Sequence, residues 1–246
     1  MKRYNEIGDY MEEKEYLECE KFYIFLLLVL VGGFYGAYTF TLKGGVFCNA
    51  QTANVVLFGM ALGTRNVGRA LYLLIPISSY FLGTMLSEHI AYHIKNLGIL
   101  RWDTALIGIE MLIIAILGFL PDSTPVQVFQ VSINFICAMQ FNTFRQAESI
   151  PMATTFVTNH IRQTGSFLVK WMRKKDEKAY LNRALRHFGM LGMFTMGAAI
   201  GALLCLTFKS QTIWFALIVL GIVFIDLLHA DLVVEKELLD RVPKGH

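Results

Sequence analysis

The sequence predicts an all-α integral membrane protein, with six transmembrane helices plus two short half-helices, built as two inverted repeats. Three observations carry this expectation. The chain is 55% hydrophobic and only 17% charged, with a mean hydropathy of +0.49, which is too apolar for an ordinary soluble domain. Its apolar residues also come in blocks long enough to cross a bilayer, which takes roughly 20 helical residues. Finally, two stretches repeat one unusual pattern. The first runs Gly33-Phe34-Tyr35, Gln51-Thr52-Ala53-Asn54, Arg69-Ala70-Leu71 and Gly83. The second runs Met139-Gln140-Phe141, Val157-Thr158-Asn159-His160, Arg183-Ala184-Leu185 and Gly197. Thr52 aligns with Thr158 and Gly59 with Gly165, and a basic insertion at 170–178 separates the later matches. Internal duplication in so apolar a chain points to a carrier fold with a site where the copies meet.

Each element follows from composition along the chain. Residues 1–21 form an acidic cytoplasmic N-terminal segment. Within 1–20, Lys2, Arg3 and Lys14 stand against seven acidic residues, a net charge of −4. That is the wrong sign for a signal peptide, and the run reads as solvated charge rather than a docking surface. The first membrane repeat covers 22–123, with spans at 22–42, 70–92 and 103–120. The second covers 124–230, with spans at 126–146, 187–208 and 212–230. Residues 231–246 form a cytoplasmic C-terminal tail. Little chain remains for a soluble catalytic domain. Cys19, Cys48, Cys137 and Cys205 lack metal-ligand spacing and read as small buried side chains.

Basic residues set the orientation. With six spans, Lys95, Arg101, Arg145 and the basic run 170–186 fall on the same side as both termini. Lys43, Arg65, Arg69 and Lys209 remain opposite. Both termini are then cytoplasmic, and the two repeats run in opposite senses. The rival is an eight-span parallel arrangement in which the Thr-rich segments also cross. Against it, the stretch 51–63 is only 13 residues long, and 156–169 carries Asn159, His160, Arg162 and Gln163. Short polar segments at membrane depth are tolerated inside protein or along a wet cavity.

These segments hold the candidate site. Gly44-Gly45 precedes the first and Pro151 the second, so each begins a new helix with free N–H groups. Such termini attract anions and polar solutes. Asn49, Gln51, Thr52 and Asn54 stand there in the first copy. Thr154, Thr155, Thr158, Asn159 and His160 stand there in the second. The same side chains could equally cap the helices and join them to neighbours. His160 titrates near neutral pH in its free form, which would make binding pH-dependent. Asn134, Gln140 and Asn142 punctuate the 126–146 span. Glu110, mid-way along 103–120, is costly in lipid unless paired or wet, which makes it the candidate for ion coupling, against a neutral hydrogen-bonded acid. His89 and His93, at i and i+4, could share a metal but lack a third ligand, and read as interfacial.

The run Gly33-Phe34-Tyr35-Gly36-Ala37, the Gly44-Gly45-Val46-Phe47 turn and Gln51-Thr52-Ala53-Asn54-Val55-Val56-Leu57 resemble the YoaK family, also called the DUF1275 family. So do Ala138-Met139-Gln140, Arg145 and Ala153-Thr154-Thr155-Phe156-Val157-Thr158. The resemblance covers roughly 22–230 and implies a multi-pass protein of the bacterial inner (plasma) membrane, without naming a substrate. This chain departs from the pattern at Gly36, where the family usually has Asp, at Ala53, where Gly is usual, and at Asn159, where Gly is usual. The missing Asp puts a shared charge-coupling mechanism in doubt.

Three function classes compete. A small-solute transporter or permease fits the repeat and its broken segments. A non-transporting scaffold or sensor subunit would use the charged tail and insertion as docking surfaces. An intramembrane enzyme fits poorly, since the sequence has no His-Glu-x-x-His, no Gly-x-Ser-x-Gly and no membrane aspartate pair. The expected partners are the lipid bilayer and a small solute, with no nucleic acid, no cofactor and no metal, and with homo-oligomerisation left open.

Overall fold

The computed structural model describes residues 16–95 and 100–243. Most of the predicted acidic N-terminal segment lies outside them. The part that is described is not a solvated charge run. Glu18–Glu20 form a short 3-10 turn with Leu17, Cys19 and Glu20 buried. The Glu20 carboxylate accepts from the Leu17 N–H. Apolar Leu17 and Cys19 draw the turn inward, and burial pushes the Cys19 thiol well up, with the Asp103 carboxylate adding to it.

The described chain is almost entirely helical. α1 is Phe22–Leu42, α2 Thr52–Gly63, α3 Val67–Lys95, α4 Trp102–Phe119 and α5 Val126–Thr143. A two-residue hairpin pairs Gln146–Ala147 (β1) with Ile150–Pro151 (β2). Then come α6 Thr158–Arg173, α7 Lys178–Phe208, a 3-10 turn Lys209–Phe215, and α8 Ala216–His229, which ends in a π turn Ala230–Val234.

Helices occupy all six predicted spans, but among the described residues hydropathy alone marks four stretches long and apolar enough to cross a membrane: Phe22–Leu42, Val67–His93, Trp102–Phe119 and Lys178–Val234. The last joins α7 and α8 through the 3-10 turn. α5 is not among them, because Gln127, Gln130, Asn134, Gln140 and Asn142 interrupt its apolar sequence. α7 begins nine residues before the predicted span, because the basic stretch from Lys178 continues as helix.

Two helix pairs form the largest interfaces: α1 against α7, and α3 against α5. Both run parallel. Gly189 lies beside Phe22 and Leu26, and Gly201 beside Phe34. On the other pair, the Ser79 hydroxyl donates to the Val131 carbonyl at 2.7 Å, and Ser87 meets Thr143 at 3.2 Å. The same register rests on matching glycines. A Cβ at Gly83 would lie 2.6 Å from the Phe135 carbonyl oxygen, and one at Gly197 would overlap the Leu30 carbonyl. Small residues at these points let backbones approach closely, which is how helices associate without a hydrophobic drive between them. α2 packs on α3, α6 on α7, and α4 on α8.

The two ends of the bundle differ. At one end the N- and C-terminal segments meet, with the Glu18 N–H donating to Glu235 at 2.9 Å. Arg101 there is nearly fully buried and pairs with Asp231 and Glu235, while Thr104 donates to Asp231 at 2.6 Å. Such a buried cluster is strongly destabilised when one partner is removed. At the other end, Lys43 donates to the Ser210 hydroxyl at 2.9 Å and its ammonium sits 3.4 Å from the Phe129 ring centroid.

Candidate functional site

The connections after α1 and after α5 both turn back into the bundle. After α1 the reversal needs left-handed backbone, and Gly44 and Gly45 supply it at φ +86° and +66°. The returning strand then descends along α1. The Cys48 N–H donates to the Thr39 hydroxyl, and the Asn49 amide donates to the Gly32 carbonyl at 3.0 Å. After α5 the hairpin makes the reversal, and residues 152–157 run inward to the same level. A Cβ at Gly32 would fall 2.5 Å from the Thr154 carbonyl oxygen, and one at Gly36 2.8 Å from the Asn49 amide nitrogen. The glycines of α1 therefore receive both returning segments, one turn apart. At Gly36, where an Asp is usual in the resembled family, the Asn49 carboxamide occupies the space a side chain would take.

Around this meeting point lies a polar seam. Tyr35 donates to one oxygen of Glu110 at 2.9 Å, and the other oxygen has no partner among the described residues. Gln51 donates to Asn134, and Asn54 donates to the Gln51 carbonyl and to the Phe47 backbone, each at 3.0 Å. Asn134 in turn donates to the Gln130 carbonyl. Tyr80 of α3 lies beside Thr155. The Phe141 and Phe156 rings, 4.8 Å apart, join α5 to the second returning segment. Glu110, Asn134, Gln140, Thr154 and Thr155 have no exposed surface. These five side chains are shut off from solvent in this conformation, while Gln51 at the seam's edge is partly exposed.

Its hydrogen bonding is incomplete. The Asn49 and Asn54 carbonyl oxygens, both polar atoms of the Gln140 amide and the Thr154 hydroxyl are buried without a partner among the described residues, and the Thr155 hydroxyl has Tyr80 beside it. An unmade bond of this kind costs on the order of 1–3 kcal/mol. So many in one place stand where a polar guest or water would bond.

His160 anchors the second segment. Its Nε2 lies 2.9 Å from the Ala153 carbonyl oxygen and 3.4 Å from the Ala153 N–H, so either tautomer finds a backbone partner there. The Nδ1 atoms of His160 and His187 face each other at 3.0 Å. His187 Nε2 is buried without a partner among the described residues.

The predicted residues are therefore divided. Asn49, Asn54, Thr155, Gln140, His160 and Glu110 are buried within the bundle, with Gln51 partly so. Thr52 and Thr158 occupy the first positions of α2 and α6 and are exposed. Asn159 accepts from Arg162 on the α6 surface. Asn142 lies apart from the seam, at the end of α5, bonded to Ser87, Glu88 and Arg145 beside a cavity of about 240 Å³. The rings of His89 and His93 touch at 4.6 Å, and among the described residues no group of three or more potential metal ligands gathers. All four cysteines are free and buried.

Sequence reasoning passed over Tyr35, His187 and the Arg101 cluster. Tyr35 was in view as part of the repeat, but only the fold aims its hydroxyl at Glu110. Arg101 and Asp231 are 130 residues apart, so no local pattern joins them.

A family model described as "Protein of unknown function (DUF1275)" matches residues 24–225. No curated protein and no solved structure matches the chain.

Proposed function

The chain belongs to the DUF1275 family, and from the geometry of its seam we propose that it is a small-solute membrane transporter, built as two inverted copies of three crossing helices and one half-helix. The observation that carries this reading is the cluster of buried, under-bonded amide and hydroxyl groups where the two returning segments meet Gly32 and Gly36. Inverted-repeat carriers hold their substrate near the bilayer midplane, on broken helices. Irregular backbone at that depth is tolerated only inside protein or along a cavity.

Inversion is supported by the parallel pairing of α1 with α7 and of α3 with α5. If the copies are 22–123 and 124–230, each pairing joins the first helix of one copy to the third of the other. α1 starts at the Arg101 end while α3 ends there, with Ser87 beside Thr143 and Trp102, so parallel neighbours in exchanged positions favour copies that run in opposite senses. The positive-inside rule then makes the Arg101 end cytoplasmic, since it shares its side with Arg145, Arg183 and Arg186.

By packing we group α1, α6 and α7 as one body and α2, α3 and α5 as the other, with α4 and α8 paired beside them. The seam lies between the two bodies. Rocking one body against the other would open it to one side at a time. The donors and acceptors there suit a small polar solute, and Glu110 is placed to take a proton or cation during the cycle. The burial of most of the seam is the one feature that favours the rival, a scaffold or sensor subunit.

Water access separates the two. Thr155→Cys and Asn49→Cys are placed in the full chain in proteoliposomes and treated with a membrane-impermeant maleimide from each side. The transporter reading expects slow labelling from at least one side, over a low background from the buried native thiols. No labelling from either side would leave a solid scaffold.

A further inference from the structure

We infer that the elbow between α6 and α7 is a docking surface for the anionic headgroups of membrane phospholipids. It goes beyond the transport reading and does not need it. The inference starts from what α6 leaves uncovered. Its extensive packing is against α7, through His160 and Phe167, whose ring stacks at 6.3 Å from Tyr180 and 6.2 Å from His187. A second face carries Ile161, Leu168 and Met172, spaced i, i+7 and i+11, which are 56%, 41% and 60% exposed. A third face, further round the helix, carries exposed Arg162, Lys170 and Arg173. An apolar stripe beside a cationic one on a helix of low overall hydrophobicity is the pattern of a helix lying in the bilayer interface.

The cationic stripe continues through the elbow. Lys174, Lys175 and Lys178 are exposed, and Arg183 sits 5.5 Å from the Phe167 ring centroid. Between 158 and 186 eight basic residues stand against Asp176 and Glu177, a net +6 in a chain whose total is +3. Lys174 spends part of its charge on a surface pair with Glu177 at 2.9 Å. The location also matters. α7 runs from the elbow directly into the apolar stretch Lys178–Val234, so these cations stand where a crossing begins. Clusters of that size beside a membrane span attract anionic lipid. Two features together select the partner. A soluble polyanion, such as a nucleic acid or acidic peptide, would use the cations but leave Ile161, Leu168 and Met172 in water. An amphiphile with an anionic head uses both faces.

The full-length chain is reconstituted in phosphatidylcholine bilayers containing a minor share of phosphatidylglycerol. It is then extracted in mild detergent, and the retained lipids are counted by native mass spectrometry. We expect phosphatidylglycerol enriched about tenfold over its share of the bilayer, with enrichment falling as salt is raised. The variant K170Q/R173Q/K175Q/K178Q changes only exposed positions, so it keeps its melting temperature and loses most of the enrichment. Ile161→Gln with Met172→Gln weakens it as well. Inorganic phosphate should not displace the lipid, because the apolar stripe gains nothing from it. Retention equal to the bilayer share, enrichment untouched by the four substitutions, or displacement by free phosphate would each overturn the inference. So would displacement by polynucleotide with the apolar stripe silent, which would mark a soluble-polyanion site. If the four-fold variant misfolds, the salt dependence of the wild-type chain still decides.

Discussion

α2 and α6 occupy the same place in the two halves of the chain, yet their surfaces are opposites. Each follows a segment that turns back to the glycines of α1, each begins at an exposed threonine, and each packs on the next helix. α2 shows apolar side chains almost all round, with Val55, Val56, Met60 and Leu62 exposed. α6 separates Ile161, Leu168 and Met172 from Arg162, Lys170 and Arg173. The inner ends agree and the outer faces do not. The inner ends answer to one shared geometry, two segments converging on one helix. The outer face of α2 suits hydrocarbon, and that of α6 suits the charged interface proposed for it. The transport proposed at the seam and the lipid docking proposed at the elbow thus draw on different residues of the two halves.

The largest expected effect tests what the halves share. Gly197→Ala and Gly83→Ala each force a methyl against backbone that cannot yield, and each should destabilise by about 3 kcal/mol, the upper part of the overpacking range. Thermal unfolding in detergent reads it. If one is silent, the glycines are not equivalent and the comparison fails at its base.

Next come the anchors of the returning segments, where the halves differ in chemistry. His160→Ala frees the Ala153 carbonyl and His187 together and should cost about 2–3 kcal/mol. Asn54→Ala frees the Phe47 carbonyl and Gln51 and should cost about 1–2 kcal/mol. A reversal of this order would mean that the first segment, not the second, is the more tightly held.

The fourth helices sharpen the contrast further. α4 carries Glu110 fully buried at mid-length, where α8 is apolar until Asp226. Glu110→Gln keeps a hydrogen-bonding group beside Tyr35, so stability should change by less than about 1 kcal/mol. Transport coupling should be lost once a solute is found by a metabolite-stabilisation screen. Full coupled activity in this variant would reduce Glu110 to a structural role.

The smallest effect belongs to the threonines that align best in sequence. Thr52→Val and Thr158→Val alter exposed positions and should shift stability by no more than about 0.5 kcal/mol. A loss of solute binding in either, with stability intact, would move the site outward from the seam to the mouths of α2 and α6.

By itself the sequence determined the class and the points where the chain breaks. Apolar blocks of bilayer length require helices, because backbone polar groups in lipid must be satisfied within the segment. Gly44-Gly45 and Pro151 show where the chain must break, and the spacing from Thr52 to Gly83 and from Thr158 to Gly197 marks the corresponding elements. Polar residues too many for a cap were visible at Asn49, Asn54, Thr155 and His160. Only the tertiary structure decided which of them turn inward. Thr52 and Thr158 share a spacing with buried neighbours but face out, since the first turn of each half-helix rotates them away from α1. Asn142, two residues from Gln140 and so about 200° round the helix, faces away from the seam at the end of α5. The partners Tyr35 with Glu110, His160 with His187, and Arg101 with Asp231 are set by helix packing between distant segments. No periodicity along the chain encodes a contact made across it.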